Sequence, residues 1–227
     1  MCGGGDRAGR SLRLSVADGR RLLRHEVPAD ASSGGTALRE IRTDRGFCGI
    51  DTRVLRDGSY WMAGDLSDQL RVWTEGERGV EQRVLLTAVP SCLALGELYD
   101  DEDDASMPLL AWADHGSVYV KDCSGDGSPH PPERLPGDFP DVTSLVFAGP
   151  VERPVLLLCM PDAVSRAWDV WSRRWLDGPG IPTRGYDVHA VRTAMDPEGL
   201  VMALQGEDRC DLIRLPRTYL GDGTGGG

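Results

Sequence analysis

The chain has 227 residues and a formal charge of -11, and its 29 Gly and 15 Pro together make about a fifth of the whole. That length allows one large domain or two small ones with room for a buried core. The density of chain breakers argues against long helices, and the charge excludes sequence-independent binding to nucleic acid or anionic membrane, where phosphates must be met by clustered Lys and Arg.

Met1-Cys2-Gly3-Gly4-Gly5-Asp6-Arg7 carries no apolar stretch of the kind a signal segment needs, so residues 1–10 are expected as a flexible tail and the protein as cytoplasmic. From there on, apolar residues alternate or run for a few positions and then stop at Gly, Pro, Asp or Ser. The predicted strands are Leu12 to Val16, Arg21 to Val27, Gly49 to Leu55, Tyr60 to Ala63, Leu70 to Trp73, Val84 to Ala88 and Cys92 to Leu98. They continue with Leu109 to Ala113, Val118 to Lys121, Val142 to Phe147, Val155 to Cys159, Arg166 to Val170, Val188 to Ala194, Leu200 to Leu204 and Asp211 to Leu215. No window sustains a helical stripe over three turns, so the chain is predicted all-β, with residues 221–227 as a Gly-rich tail. The longest apolar run, Val155 to Met160, is far short of the roughly 20 residues of a membrane span.

A long period runs through these strands. Leu70-Arg71-Val72-Trp73, Val118-Tyr119-Val120-Lys121, Ser165-Arg166-Ala167-Trp168-Asp169 and Asp211-Leu212-Ile213-Arg214 align so that Trp73, Lys121, Trp168 and Arg214 share a column, at steps of 48, 47 and 46 residues. Leu12 to Val16 takes the same place upstream if about ten residues are inserted, with Pro28 to Gly35 as the loop that holds them. A period in the forties with four short strands per unit is the signature of a β-propeller. With the four strands of a unit lettered A to D in chain order, the A to B turns carry Asp57-Gly58, Gly149-Pro150 and Pro197-Glu198-Gly199; the C to D turns carry Asp18-Gly19, Glu75-Gly76 and Ser124-Gly125.

On these residues the chain resembles the WD-repeat β-propeller family in the degenerate form found in bacterial proteins, most closely at Ser165-Arg166-Ala167-Trp168-Asp169-Val170 and at Leu70 to Trp73. The resemblance implies a propeller over residues 11–220, with Trp73, Trp168 and Asp169 as structural residues and an indole packed between adjacent blades, its N–H partnered. The family's bracing tetrad is eroded here: Lys121 and Arg214 replace Trp, and no Gly-His precedes the strands. The alignment opens and closes in a third strand, which predicts about four to five repeats. Either the two chain ends complete a fourth blade in one sheet, or an open arc exposes strand edges for self-association.

Three readings of function follow, one of them an assembly half or remnant of a larger propeller with no activity of its own. As a non-enzymatic interaction scaffold, the protein would bind another protein through the rim formed by the B to C and D to A loops. The candidates there are Asp65, Asp68, Asp114, His115, Asp162, Glu207, Asp208 and Arg209, joined by Phe139, Tyr186 and Asp187, with the aromatics as expected hot spots. As a hydrolase or lyase, it would use the same rim carboxylates as acid and base; the plainer role for those Asp residues is to cap turns. No catalytic residue is assigned, since no nucleophile motif or phosphate loop is present, and no cofactor is expected. The run Asp100 to Asp104 lacks the spacing of a calcium loop and reads as a solvated loop or a dock for a basic partner. His25, His115 and His130 lack metal-ligand spacing, so no metal site is expected. The six cysteines, with no CxxC pair, read as small buried hydrophobes.

Overall fold

In a computed structural model every regular element among the described residues is a strand. The structure describes residues 2–5, 11–28, 36–76, 79–125, 131–160, 165–177, 190–196, 199–205 and 210–216. Among the described residues no helix is long and apolar enough to cross a membrane. The chain divides into two compact units, Met1–Pro90 with Cys123–Pro129, and Ser91–Asp122 with His130–Gly227.

The first unit holds two four-stranded antiparallel sheets, each ordered as in the sequence. One comprises β1 (Cys2–Gly5), β2 (Ser11–Asp18), β3 (Arg21–Pro28) and β4 (Thr36–Arg42); the other comprises β5 (Gly49–Val54), β6 (Tyr60–Asp65), β7 (Gln69–Gly76) and β8 (Gly79–Thr87). The second unit holds three more. These are β9 (Cys92–Asp100), β10 (Ala105–Asp114), β11 (Ser117–Asp122) and β12 (Glu133–Arg134); then β13 (Ser144–Ala148), β14 (Val155–Cys159), β15 (Arg166–Asp169) and β16 (Arg174–Trp175); then β17 (Ala190–Asp196), β18 (Gly199–Gln205) and β19 (Cys210–Pro216).

The fourth sheet shows why its strands are apolar without interruption. Leu145, Phe147, Leu156, Leu158 and Trp168 join residues of the third sheet in one core, whereas Val146, Ala148, Val155, Leu157 and Cys159 join Leu200 and Met202 of the fifth sheet in another. Side chains alternate across a strand, so a sheet covered on both faces needs an apolar residue at every position. In the first unit Leu22, Ile41, Tyr60, Met62, Leu66 and Trp73 make the corresponding core between the first two sheets. Within each unit the first strands of successive sheets lie against one another: β1 on β5, β9 on β13, and β13 on β17. Gly96 makes one of these approaches possible, because a Cβ there would sit 2.4 Å from Phe147 Cγ.

The column of third strands holds for Trp73, Lys121, Trp168 and Arg214, which lie on β7, β11, β15 and β19. Its upstream end is corrected. Leu12 to Val16 belongs to β2, a second strand, and the third strand of the first sheet is β3. His25 on β3 stands 48 residues before Trp73, and the pairing of third with fourth strand shifts register at Arg24/His25 as it does at Val72/Trp73. The period therefore extends to the first sheet with no insertion. Asp18-Gly19 is accordingly a turn between second and third strands. Cys2–Gly5, expected within a tail, pairs with Leu12 to Ser15 as β1. Since β1 completes the first sheet from its own end of the chain, the two chain ends do not share a sheet among the described residues.

Two cysteines also depart from expectation: Cys48 and Cys210 are exposed, whereas Cys123 and Cys159 are buried. Burial pushes the thiols of Cys92 and Cys159 up to about 12 and about 11, so both are inert at neutral pH.

Candidate functional site

Turns between second and third strands meet the connections that lead to the next sheet. In the first unit the turn after β6 is closed by Leu66 N–H on the Gln69 carbonyl at 2.8 Å, with Ser67 at a φ of 76°. Asp65 accepts the Ser67 N–H at 2.9 Å. Burial raises the Asp65 carboxyl above its ordinary range, and the Ser67 bond offsets this in part. Asp68 pairs with Arg45, while its carbonyl accepts from Ala88 N–H at 3.2 Å. Arg71 reaches Asp44 at 3.0 Å and Gln69 Oε1 at 2.6 Å. The structure thus brings Asp65 and Asp68 onto one set of turns, with Asp65 bonded inside its own turn and Asp68 half-exposed against an arginine.

In the second unit Asp114 and His115 make the turn from β10 to β11. His115 has a φ of 47° and Gly116 of 77°, and the imidazole, 82% exposed, bonds the Asp114 carboxylate. The Gly116 carbonyl accepts the Phe139 N–H at 2.6 Å, so the connection from the third sheet to the fourth lies on this turn. Phe139 itself requires a correction. It is 3% exposed, belongs to the core between the third and fourth sheets, and packs against Trp175 at 5.3 Å between ring centroids. It supports the loop from beneath and offers no aromatic surface to a partner. Asp162, Tyr186, Asp187, Glu207, Asp208 and Arg209 lie outside the described residues.

Trp73 and Trp168 are buried, the first against Phe47 and the second edge-on to Trp175 at 4.9 Å. Neither donates its indole N–H among the described residues, so the bonded indole implied by the WD resemblance is not formed there. Asp169, also buried, organises the opposite rim. Its Oδ2 accepts from Arg153 Nε at 3.2 Å and Nη2 at 3.0 Å, and its Oδ1 accepts the Ser172 N–H at 3.0 Å. Burial alone would raise this carboxyl, but the bonds from Ser172 and the Arg153 guanidinium outweigh it and hold the group below its ordinary range.

Sequence reasoning missed three of these groups. Arg153 lies sixteen residues before Asp169 and Arg45 lies twenty-three before Asp68, with no local pattern to join them. Glu97, buried on β9 and accepting from Ser106 Oγ at 2.7 Å, was signalled only as the single charge in Leu93-Ala94-Leu95-Gly96-Glu97-Leu98. Among the described residues no group of three or more His, Cys, Asp or Glu is gathered as a metal ion would require. Asp101 to Asp104 form the exposed turn from β9 to β10.

No protein-family model matches the sequence, and no curated protein matches it. Among solved structures the chain is similar to BBS1N, crystallised in complex with ARL6DN and soaked with mercury, at 14% identity and a TM-score of 0.61. The match covers 96% of this chain and 65% of that one, so the chain spans about 65% of the length of the protein it resembles. The likeness at this identity is one of fold. The fold is β-propeller-like.

Proposed function

We propose that the chain is a non-enzymatic interaction scaffold of the WD-repeat type, working in the cytoplasm, whose sheets are the blades of a single propeller and whose rim loops bind another protein. The observation that carries this reading is the likeness to BBS1N, a chain crystallised with a protein partner, an argument by analogy of fold. The exposed His115 and the partly buried turn residues Asp68 and Asp114 support it, and Asp162, Tyr186, Asp187, Glu207, Asp208 and Arg209 complete the proposed face. A hydrolase or lyase is less well supported, since Asp65 is bonded within its turn, Asp68 to Arg45 and Asp114 to His115.

The test is a pull-down from the native host with wild type and with Asp68→Lys/His115→Ala. A stoichiometric protein partner, lost from the double variant, is expected. Turnover of hydrolase substrates that vanishes on neutralising the rim carboxylates, with no partner recovered, would overturn the reading. A second reading, self-association as part of a larger assembly, is favoured by Leu212. It lies on the last strand of the fifth sheet and is 75% exposed. Sedimentation of wild type against Leu212→Glu tests it.

A further inference from the structure

The strongest surface feature unused so far lies on the opposite rim of the fourth sheet, in the turn from β15 to β16. Trp171, at its apex, is 55% exposed, whereas Trp61, Trp73, Trp112 and Trp168 are all buried. The turn is held from several sides. Asp169 bonds Ser172 N–H and Arg153 as described above, Val170 N–H donates to the Pro154 carbonyl at 3.2 Å, and Asp169 and Trp168 pair with Arg174 and Trp175 across the hairpin. Arg173 sits at a φ of 51°, a left-handed conformation that costs energy for a residue with a Cβ. The hairpin is therefore preset, and a partner would not have to order it.

Beside the indole, Arg173 and Arg174 are exposed. Arg173 meets Glu133 at 3.6 Å and is otherwise solvated; Arg174 makes no ion pair among the described residues. Trp and Arg are the side chains most enriched where binding energy concentrates, and here one hairpin of a chain of charge -11 carries an exposed indole and two exposed arginines. From this geometry we infer that the Trp171 to Arg174 turn is a docking point for an acidic segment of a partner protein that carries an apolar side chain. The apolar side chain covers the indole, and the carboxylates meet Arg173 and Arg174. The inference rests on the scaffold reading but places the contact on a turn between third and fourth strands, not on the turns between second and third strands that carry Asp68 and His115.

The test uses three fluorescein-labelled twelve-residue peptides and the full chain. One is Asp/Glu-rich with interspersed Leu and Phe, one has Ser in place of the apolar residues, and one has Lys in place of the acids. A single-stranded oligonucleotide of twelve bases is a fourth probe. Wild type should bind the acidic-apolar peptide best. Trp171→Ala should weaken it by on the order of tenfold or more, and Arg173→Gln/Arg174→Gln should weaken it and flatten its salt dependence. Both variants should melt as wild type does, since the groups removed are exposed. No binding of that peptide, equal binding of the lysine peptide, tighter binding of the oligonucleotide, or unchanged affinity of Trp171→Ala would overturn the proposal. Host-partner capture separates the two claims. A partner retained by Trp171→Ala but lost from Asp68→Lys/His115→Ala removes this surface and leaves the scaffold. Peptide binding lost in Trp171→Ala, with no partner in the host, keeps the surface and removes the scaffold.

Discussion

Replacing Trp168 by Ala deletes an indole that is 4% exposed in the core between the third and fourth sheets. Deleting a large buried aromatic costs about 3–5 kcal/mol, of which the edge-on contact with Trp175 at 4.9 Å accounts for about 0.5–1.5 kcal/mol. At about 2–4 °C per kcal/mol for a chain of this size, the melting temperature of the second unit should fall by about 6–20 °C. Trp171→Ala, three residues away, removes an indole that is 55% exposed, and a surface change of that kind stays within about 0.5 kcal/mol. Thermal melts followed by circular dichroism, with urea titrations beside them, compare the two variants directly. Equal destabilisation, or a greater loss from Trp171→Ala, would refute both the packing described for β15 and the third-strand column that runs through Trp168.

Gly96→Ala should destabilise by about 1–3 kcal/mol, the usual cost of overpacking, because its Cβ would meet the Phe147 ring. Adding Phe147→Leu should recover part of that loss in a urea titration, and full independence of the two changes would count against the close approach of β9 and β13. Asp169 has a lowered pKa, so its stabilisation is fully present above the unfolded value and disappears as pH falls through the folded one. Asp169→Asn should therefore lower stability at neutral pH by about 1–3 kcal/mol and flatten the acid limb of a stability-against-pH curve; an unchanged curve would sink this account. Asp65 is raised by burial, so its sign is opposite: ionisation opposes folding as pH rises through the folded value. Asp65→Asn, which keeps an acceptor for Ser67 N–H, should leave stability at neutral pH unchanged or higher, and a clear drop in melting temperature would contradict it.

Fifteen stretches of alternating or continuous apolar residues fall on strands, because in an all-β chain the side-chain period is itself the structural signal. Four strands were missed, each without such a signal, and among them β4, Thr36–Arg42, spaces Ala37, Leu38 and Ile41 three and four apart and so breaks the alternation. β1 is Cys-Gly-Gly-Gly, with almost no side chains to alternate; β12 and β16 are two residues long. Missing β1 and β4 moved Leu12 to Val16 by one strand and made an insertion necessary, so two silent strands distorted the register of the whole first sheet. The turn aspartates were legible as turn residues, since Asp65 and Asp169 each bond a backbone N–H two or three residues on. Their long-range partners Arg45 and Arg153 were not, because those ion pairs form only once the sheets have placed distant turns side by side. Phe139 was misread for a related reason. A loop position in the sequence gives no indication that the ring turns inward under Trp175 and the Arg166 guanidinium, 6.0 Å from its centroid.

The same turns show how bracing and recognition are divided in this fold. A carboxylate that fixes a turn is consumed by it: Asp65 is spent on Ser67, and Asp169 on Ser172 and Arg153. Such groups are buried, and removing them changes stability before it changes binding. What the turn then displays is whatever lies next to the brace, His115 beside Asp114 on one rim, and Trp171 beside Asp169 on the other. Folding does not require either exposed side chain, because four of the six tryptophans are already buried. An exposed indole contributes little to stability, yet it sits on a hairpin whose backbone is fixed by the buried Asp169 carboxylate and its partly exposed Arg153 partner. That separation gives a working rule for this chain: mutations that remove a brace's hydrogen-bond acceptor should lower melting temperature, and mutations one or two residues further along the same turns should move affinity alone.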